Sequence, residues 1–511
     1  MLSSSTVAAL ASGVLLALSF PKYGHPAVAF IALVPLYVAL CGWNGQPGKA
    51  PGVSTGRGFR LGLFTGSIHF AGTVYWTGAT VQTFGGLPWP VAVVVTSLLV
   101  LYMATFTALA SAASAIFIRR FGFVGLTLAP AAWVATEYTR GFLIGGFPWI
   151  PLGNTMVTLL PIVQLASLIG VFGLSAFVAL VNAGFAATAL ATGRARAVAL
   201  IATLALIAGT SIWGGQRMAA NRLTQGEPIR VGLIQGNIAQ VDKWNPSRAD
   251  MIVNRYQQLT RQASANGAQF VLWPESATPF FFDEDQGADQ IRAMVRQLGT
   301  PLLFGSDEVE RGTPNRLYNS AFMLDSAGTT AAVYRKMHLV PFGEYVPFQW
   351  ALFFVAPLVE AVSAFTPGER VIMLPVREHM VSTAICYEVT FPSQSREAVR
   401  QGSELLTTIT NDAWYGQSSA AYQHFEMASM RAVEQGRYMV RAANTGVSGI
   451  IDPYGRVLVR TNLFETVAVV GEARFVQART LYARIGDLVA LLATVSTVLA
   501  LGVAAWLRAE R

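Results

Sequence analysis

Residues 380–392 read MVSTAICYEVTFP, and the rest of the chain is best read outward from them. Met380–Ile385 is an apolar, β-branched run of strand length. It ends on Cys386, with Tyr387 and Glu388 directly behind. A cysteine after a strand is most simply a small core residue. It becomes a nucleophile only where a neighbour takes its proton and another receives the negative charge that forms on the attacked group. Two further segments supply such neighbours. LWPES at 272–276 places Glu275 just past the strand-like run Phe270–Trp273, and YRKMHLVPFGEYVP at 334–347 carries Lys336 and Glu344. Strand ends of an α/β sheet converge on one side, so Glu275, Lys336 and Cys386 can share a pocket. In acyl transfer Glu275 suits the general base, and Lys336 suits the oxyanion site while helping to hold the thiolate.

The surroundings of these segments fit an α/β domain over 217–485. Short β-branched runs (Ile229–Gln235, Phe270–Trp273, Pro301–Phe304, Met380–Ile385) alternate with polar stretches of helical spacing (Ser247–Ala265, Gln286–Leu298, Gln423–Arg441). One stretch departs from this pattern. FQWALFFVAPLVEAVSAF at 348–365 holds a single acid, Glu360, and reads either as a buried helix or loop or as an arm touching lipid. In the second case Trp350, Phe353, Phe354 and Leu358 are the lipid-facing candidates, from their spacing of three to four residues.

Beyond this domain the chain changes solvent. Of its 511 residues 53% are hydrophobic and 13% charged, against about 25% charged in soluble domains. Residues 1–216 hold nine Lys/Arg and one acid, Glu137, whereas 217–485 hold 25 of each sign. The net charge of +8 therefore lies outside the α/β domain. A nucleic-acid binder would show the opposite distribution, and none is expected here. Apolar segments at 6–20, 26–43, 61–84, 88–118, 121–139, 160–192, 197–214 and 487–507 predict a bundle of about eight transmembrane helices. The expected organisation is helices one to seven in 1–216, the catalytic domain in 217–485, and the eighth helix with a short tail in 486–511. The first segment lacks a basic n-region and a second follows at once, so it reads as a retained helix rather than a cleaved leader.

Loop charges orient the bundle. Lys49, Arg57, Arg60, Arg119, Arg120, Arg194, Arg196, Arg508 and Arg511 fall on one side, and Lys22 and Arg140 on the other, with Arg217 and Arg222 opening the large domain. By the positive-inside rule both termini are cytoplasmic and the α/β domain extracytoplasmic, hence periplasmic in a bacterium with two membranes. Cys41 and Cys386 are the two cysteines and form no disulfide framework. His25, His69, His338, His379 and His424 lack ligand spacing, so neither metal nor cofactor is expected.

LWPES, the Lys336 segment, ICYE and RAVEQGRYMVRAANTGVSGIIDPYGRV from Arg431 occur in an order that resembles the nitrilase, or carbon–nitrogen hydrolase, superfamily. That resemblance implies an αββα sandwich with Glu275, Lys336 and Cys386 as a catalytic triad. LSFPKYGHPAVAFIALVPL at 18–36, GGFPWIPLGN at 145–154, QGNIAQVDKW at 235–244 and HLVPFGEYVP at 338–347 are similar to the apolipoprotein N-acyltransferase family within it. This second resemblance implies Glu344, Tyr387 and Glu388 around the thiol, and Trp149 and Trp244 near the lipid side. It also implies a ping-pong reaction in the bacterial inner membrane. Cys386 takes the sn-1 acyl chain of a phospholipid such as phosphatidylethanolamine as a thioester, and a monomeric enzyme passes it to the N-terminal amine of a diacylglyceryl-apolipoprotein. The competing readings are a membrane-tethered amidase acting on a small amide, and a non-catalytic transporter or lipid scaffold. The first leaves a polytopic bundle unexplained. The second would call for more intramembrane charge than Glu137, Arg140 and His69 provide.

Overall fold

The computed structural model describes residues 3–43, 51–345 and 365–509. Among them the chain divides into two compact units. One comprises the chain up to Gln82, Leu87–Ala220 and the chain from Ile485, and the other comprises Thr83–Gly86 and Asn221–Arg484.

The first unit is helical. Four of its helices are long and apolar enough to cross a membrane: Trp89–Phe121, Ala166–Leu190, Gly193–Thr224 and Leu488–Leu507. They fall on four of the eight expected segments. The other four fold differently. Ser4–Ala17 has 14 residues, and the next segment splits into a 3-10 turn, Pro26–Phe30, and a seven-residue helix, Val34–Leu40. The third breaks into Thr55–Thr73 and Trp76–Gly85. Phe123–Arg140 is 18 residues long, holds Pro130 inside it, and carries Glu137 and Arg140. In the second segment Pro26 and Pro35, which lack an N–H, start new turns in apolar sequence that is otherwise long enough. Helix length and apolarity thus return four spans among the described residues where sequence alone suggests eight.

Small residues bring these helices together. In lipid there is no hydrophobic drive between helices, so close packing must hold them. Thr55–Thr73 presents Gly58, Gly62 and Gly66 at four-residue spacing to Trp89–Phe121. A Cβ at Gly62 would lie 2.4 Å from Ser111 Oγ and 2.6 Å from the Thr107 carbonyl oxygen. A buried amide adds a polar tie: Asn182 Oδ1 accepts from the Leu33 N–H at 2.8 Å, and its Nδ2 donates to the Ala29 carbonyl at 2.8 Å.

The second unit is a two-sheet sandwich. The strands are β1 (Pro228–Gln235), β2 (Phe270–Leu272), β3 (Leu302–Glu310), β4 (Arg316–Leu324), β5 (Thr330–Arg335), β6 (Leu374–Val376), β7 (His379–Ile385), β8 (Leu405–Thr410), β9 (Met439–Ala443), β10 (Gly449–Ile451), β11 (Val457–Arg460) and β12 (Val467–Arg474). One six-stranded sheet runs β12-β1-β2-β3-β4-β5 and the other β11-β10-β9-β8-β7-β6. Parallel pairing joins β1, β2 and β3 in the first sheet and β7, β8 and β9 in the second. Alternate residues of both sheets meet in a single apolar layer, with Val231, Leu272 and Leu303 from one and Val381, Leu405 and Val440 from the other. The outer face of the first sheet packs on helices Ala249–Ala265 and Gly287–Leu298, and that of the second on Pro392–Arg400 and Ala420–Gln435. The layers are therefore α, β, β, α, as the resemblance implies. One boundary is corrected. The helical spacing read over Gln423–Arg441 stops at Gln435, because Gly436 takes a left-handed φ of 62°, and Met439–Ala443 is then strand β9.

Candidate active site

Cys386 sits where β7 turns into a 3-10 segment, Cys386–Thr390, and its φ of +53° lies in the left-handed region. A residue with a Cβ is held there only by its surroundings. Two buried side chains bracket this elbow. On the N-terminal side, Glu388 Oε2 accepts from the Ile385 N–H at 2.7 Å. Its Oε1 accepts from the Met337 and His338 N–H groups, at 2.6 and 3.1 Å, and from the Tyr334 hydroxyl at 2.7 Å. Glu388 thereby fastens the segment after Lys336 to the thiol elbow. On the C-terminal side, His424 Nε2 lies 3.0 Å from the Cys386 carbonyl oxygen. Its Nδ1 lies 3.0 Å from Asp412 Oδ1, and Arg441 Nη2 donates to Asp412 Oδ2 at 2.8 Å. All three side chains are buried.

Glu275 follows β2 on a second elbow, where Ser276 has a φ of +41°. Its Oε1 accepts from Asn319 Nδ2 at 2.8 Å and from Lys336 Nζ at 3.2 Å, and its Oε2 accepts from the Asn411 N–H at 2.9 Å. Lys336, directly after β5, also donates to Glu344 Oε1 at 2.8 Å. Asn319 of β4 donates to that same Glu344 oxygen at 2.8 Å, and Glu344 Oε2 accepts from the Val340 N–H at 2.8 Å. Glu275 and Glu344 thus share one buried ammonium and one amide.

The electrostatics set the resting protonation. Burial drives the Cys386 thiol far above its ordinary range, the Glu275 charge adds to this, and Lys336 opposes it. Burial would also raise Glu275, but Lys336 and then Lys243 outweigh it and hold the carboxyl below its usual value. Lys336 is pushed well up, since Glu275 and Glu344 outweigh its burial. Burial thus favours the neutral thiol, and the two lysines favour the ionised Glu275 carboxylate. Lys336 is shared by two carboxylates and still favours the thiolate form.

The structure thus brings Glu275, Lys336, Glu344, Cys386 and Glu388 together. Tyr387 is buried beside the thiol, its ring edge-on to Phe391 with centroids 5.2 Å apart. Of the tryptophans, Trp244 is 45% exposed in the loop after β1. Trp149 is buried within the helical unit, between the rings of Trp76 and Phe147 at 5.2 and 5.9 Å. Trp350, Phe353, Phe354 and Leu358 lie outside the described residues. Sequence reading missed Lys243, Asn319, Asp412, His424 and Arg441. Lys243 stands inside the quoted QGNIAQVDKW, and His424 and Arg441 inside the stretch taken as one helix.

Comparison with known proteins adds two family matches. Residues 230–479 match the carbon–nitrogen hydrolase family, and residues 12–184 match the apolipoprotein N-acyltransferase N-terminal domain. The chain is 42% identical over 495 residues to the apolipoprotein N-acyltransferase of Geobacter metallireducens, covering 94% of this chain and 92% of that protein. It is 35% identical over 492 residues to the enzyme of the same name from Methylococcus capsulatus, with the same coverage of 94% and 92%. Among solved structures, an amidase of the nitrilase superfamily from Nesterenkonia AN1 matches with 21% identity and a TM-score of 0.38, over 49% of this chain and 92% of that one. The C. elegans NitFhit protein matches with 18% identity and a TM-score of 0.40, over 49% of this chain and 61% of that one.

Proposed function

Since the chain belongs to the apolipoprotein N-acyltransferase family, we propose that it transfers an acyl chain from a phospholipid to the N-terminal amine of diacylglyceryl-apolipoproteins through a thioester on Cys386. It is an acyltransferase of lipoprotein biosynthesis. The observation that carries the mechanism is the convergence of Glu275 and Glu344 on Lys336, with both Glu275 and Lys336 acting electrostatically on the buried thiol.

In the first half-reaction Glu275 takes the Sγ proton as sulfur attacks the sn-1 ester carbonyl of a donor such as phosphatidylethanolamine. The oxyanion is stabilised by the Lys336 ammonium, whose charge is preorganised by Glu344 and Asn319. Collapse breaks the ester C–O bond, and the departing lysophospholipid oxygen takes the proton back from Glu275. In the second half-reaction the neutral acceptor amine attacks the thioester. The amide forms, the C–S bond breaks, and the amine proton passes through Glu275 to sulfur. A membrane-bound amidase would use the same triad with water as acceptor, and family membership favours transfer.

Mass spectrometry tests the intermediate. Wild-type enzyme given phospholipid alone should gain one acyl mass on Cys386, removable by hydroxylamine and lost on adding acceptor. A chain that turns over while carrying no such adduct would remove the covalent step.

We further propose eight spans, both termini cytoplasmic, and a monomer in the bacterial inner membrane with residues 217–485 periplasmic. The support for the spans is the eight apolar segments, and for the orientation the loop-charge asymmetry. Reporter fusions near Arg57, Arg120 and Arg196 should register cytoplasm, and fusions within 220–480 periplasm. A cytoplasmic signal from the large domain would overturn both the orientation and access to the lipoprotein acceptor.

A further inference from the structure

The catalytic carboxylate and the thiol stand on similar main-chain elbows. Cys386 has a left-handed φ and its carbonyl oxygen meets His424. The Glu275–Ser276 turn has a left-handed φ at Ser276, and the Glu275 carbonyl accepts a 3.0 Å hydrogen bond from Lys243 Nζ. Lys243 comes from the turn after β1, yet it is only 5% exposed. A buried ammonium is costly unless paired. Its surroundings are the Glu275 carbonyl, the carboxylates of Glu275 and Asp307, and the Cys386 thiol. Asp307 in turn accepts from the Ser276 hydroxyl at 3.0 Å, so Lys243 and Asp307 grip consecutive residues of the turn that aims Glu275.

We propose that Lys243 is a positioning residue for acyl transfer: its buried ammonium fixes the Glu275 main chain and keeps the Glu275 carboxylate ionised opposite a neutral thiol. The inference rests on the assignment of Glu275 as base in thioester formation. Lys336 acts most strongly on Glu275, but Glu344 shares its ammonium at 2.8 Å while Glu275 lies at 3.2 Å. Lys243 is the second cation acting on Glu275. The remaining groups around the carboxylate add negative charge or none: Asp307, Glu344, Tyr415 and Cys386, with the neutral Asn319 and the Asn411 main chain. Burial brings Lys243 down to about 8 despite its acidic neighbours, and brings Asp307 up to about 6. Lys243 and the carboxylates of Glu275 and Asp307 thus act on one another away from solvent.

The test uses the full-length membrane enzyme and single-turnover formation of the Cys386 adduct from phosphatidylethanolamine, followed across pH. Lys243→Met removes both the hydrogen bond and the charge. Lys243→Gln keeps a donor for the Glu275 carbonyl and removes only the charge. Acylation needs ionised Glu275, so its rate falls as pH drops through the carboxylate's titration. Without Lys243 that acid limb should move up by about one pH unit or more in both variants. At neutral pH Lys243→Met should be slower by about a hundredfold, and Lys243→Gln by less. Unchanged rates, or one uniform loss at every pH with the limb unmoved, would overturn the proposal in favour of a purely structural lysine. So would failure of both variants to fold. Absence of the adduct in wild type would instead count against the thioester mechanism.

Discussion

Glu275→Gln should leave a folded protein whose Cys386 is acylated by phospholipid at least about a thousandfold more slowly. General-base catalysis contributes roughly a hundred- to ten-thousandfold in rate. This site calls for the upper part of that range, because burial drives its thiol far up and little thiolate exists without a base. Glutamine matches the shape. Its carbonyl oxygen can still accept from Asn319 or from the Asn411 main chain, so the elbow at Ser276 keeps its supports. Lys336 keeps Glu344. What disappears is the proton acceptor, and with it the acid limb of the pH–rate profile, since the carboxylate whose ionisation the step needs is gone. Time-resolved mass spectrometry of the adduct reads the effect directly. A loss under tenfold, or an acid limb that persists, would take the base role away from Glu275.

The second large effect is one of stability. Glu388→Ala should destabilise the α/β unit by about 4 kcal/mol, in line with removal of one partner from a buried charged network. Four donors would lose their acceptor at once: the N–H groups of Ile385, Met337 and His338, and the Tyr334 hydroxyl. Ile385 and Tyr334 are buried and Met337 and His338 partly so, which limits how far solvent can replace the lost bonds. The strained φ of Cys386 would also lose its N-terminal brace, so the folded fraction should acylate poorly as well. Denaturant unfolding or pulse proteolysis of the purified enzyme measures the change. A shift below about 1 kcal/mol would mean that the carboxylate is not the clamp between the Lys336 segment and the thiol elbow.

Much of this site is legible in the sequence, and the exceptions share a cause. Cys386, Glu275 and Lys336 each follow an apolar strand, and a short strand ending in a reactive side chain leaves a local signature. The strands themselves follow from β-branched runs: Met380–Ile385 becomes β7 with its start at His379, and Ile229–Gln235 becomes β1 with its start at Pro228. Lys243, Asp412, His424 and Arg441 leave no such mark. They act through main-chain carbonyls or through one another, across separations such as the 38 residues between His424 and Cys386. Nothing local distinguishes a lysine that caps a distant carbonyl from one in solvent. How Lys336 divides its charge between two carboxylates is likewise a matter of distance, which the sequence does not carry. Four of the expected spans do not return as single long apolar helices, for a different reason. Apolar composition persists through Pro26, Pro35 and the break after Thr73, whereas helical hydrogen bonding does not.

The pairing of β12 with β1 also fixes an order of events in time. These strands run antiparallel over their whole length, from Pro228 against Arg474 to Gln235 against Val467. β1 is the first strand of the α/β unit to emerge during synthesis and β12 is the last. One long side of β1 therefore stays an open edge while the more than two hundred residues between them are made, and an open edge invites pairing with foreign strands. Contacts this distant in sequence are slow to close. Completion of the first sheet must wait for the final strand, which arrives only shortly before the apolar helix that starts at Leu488. A ribosome stalled or a chain cut before Val467 would leave every catalytic residue synthesised and the sheet beneath Glu275 unfinished.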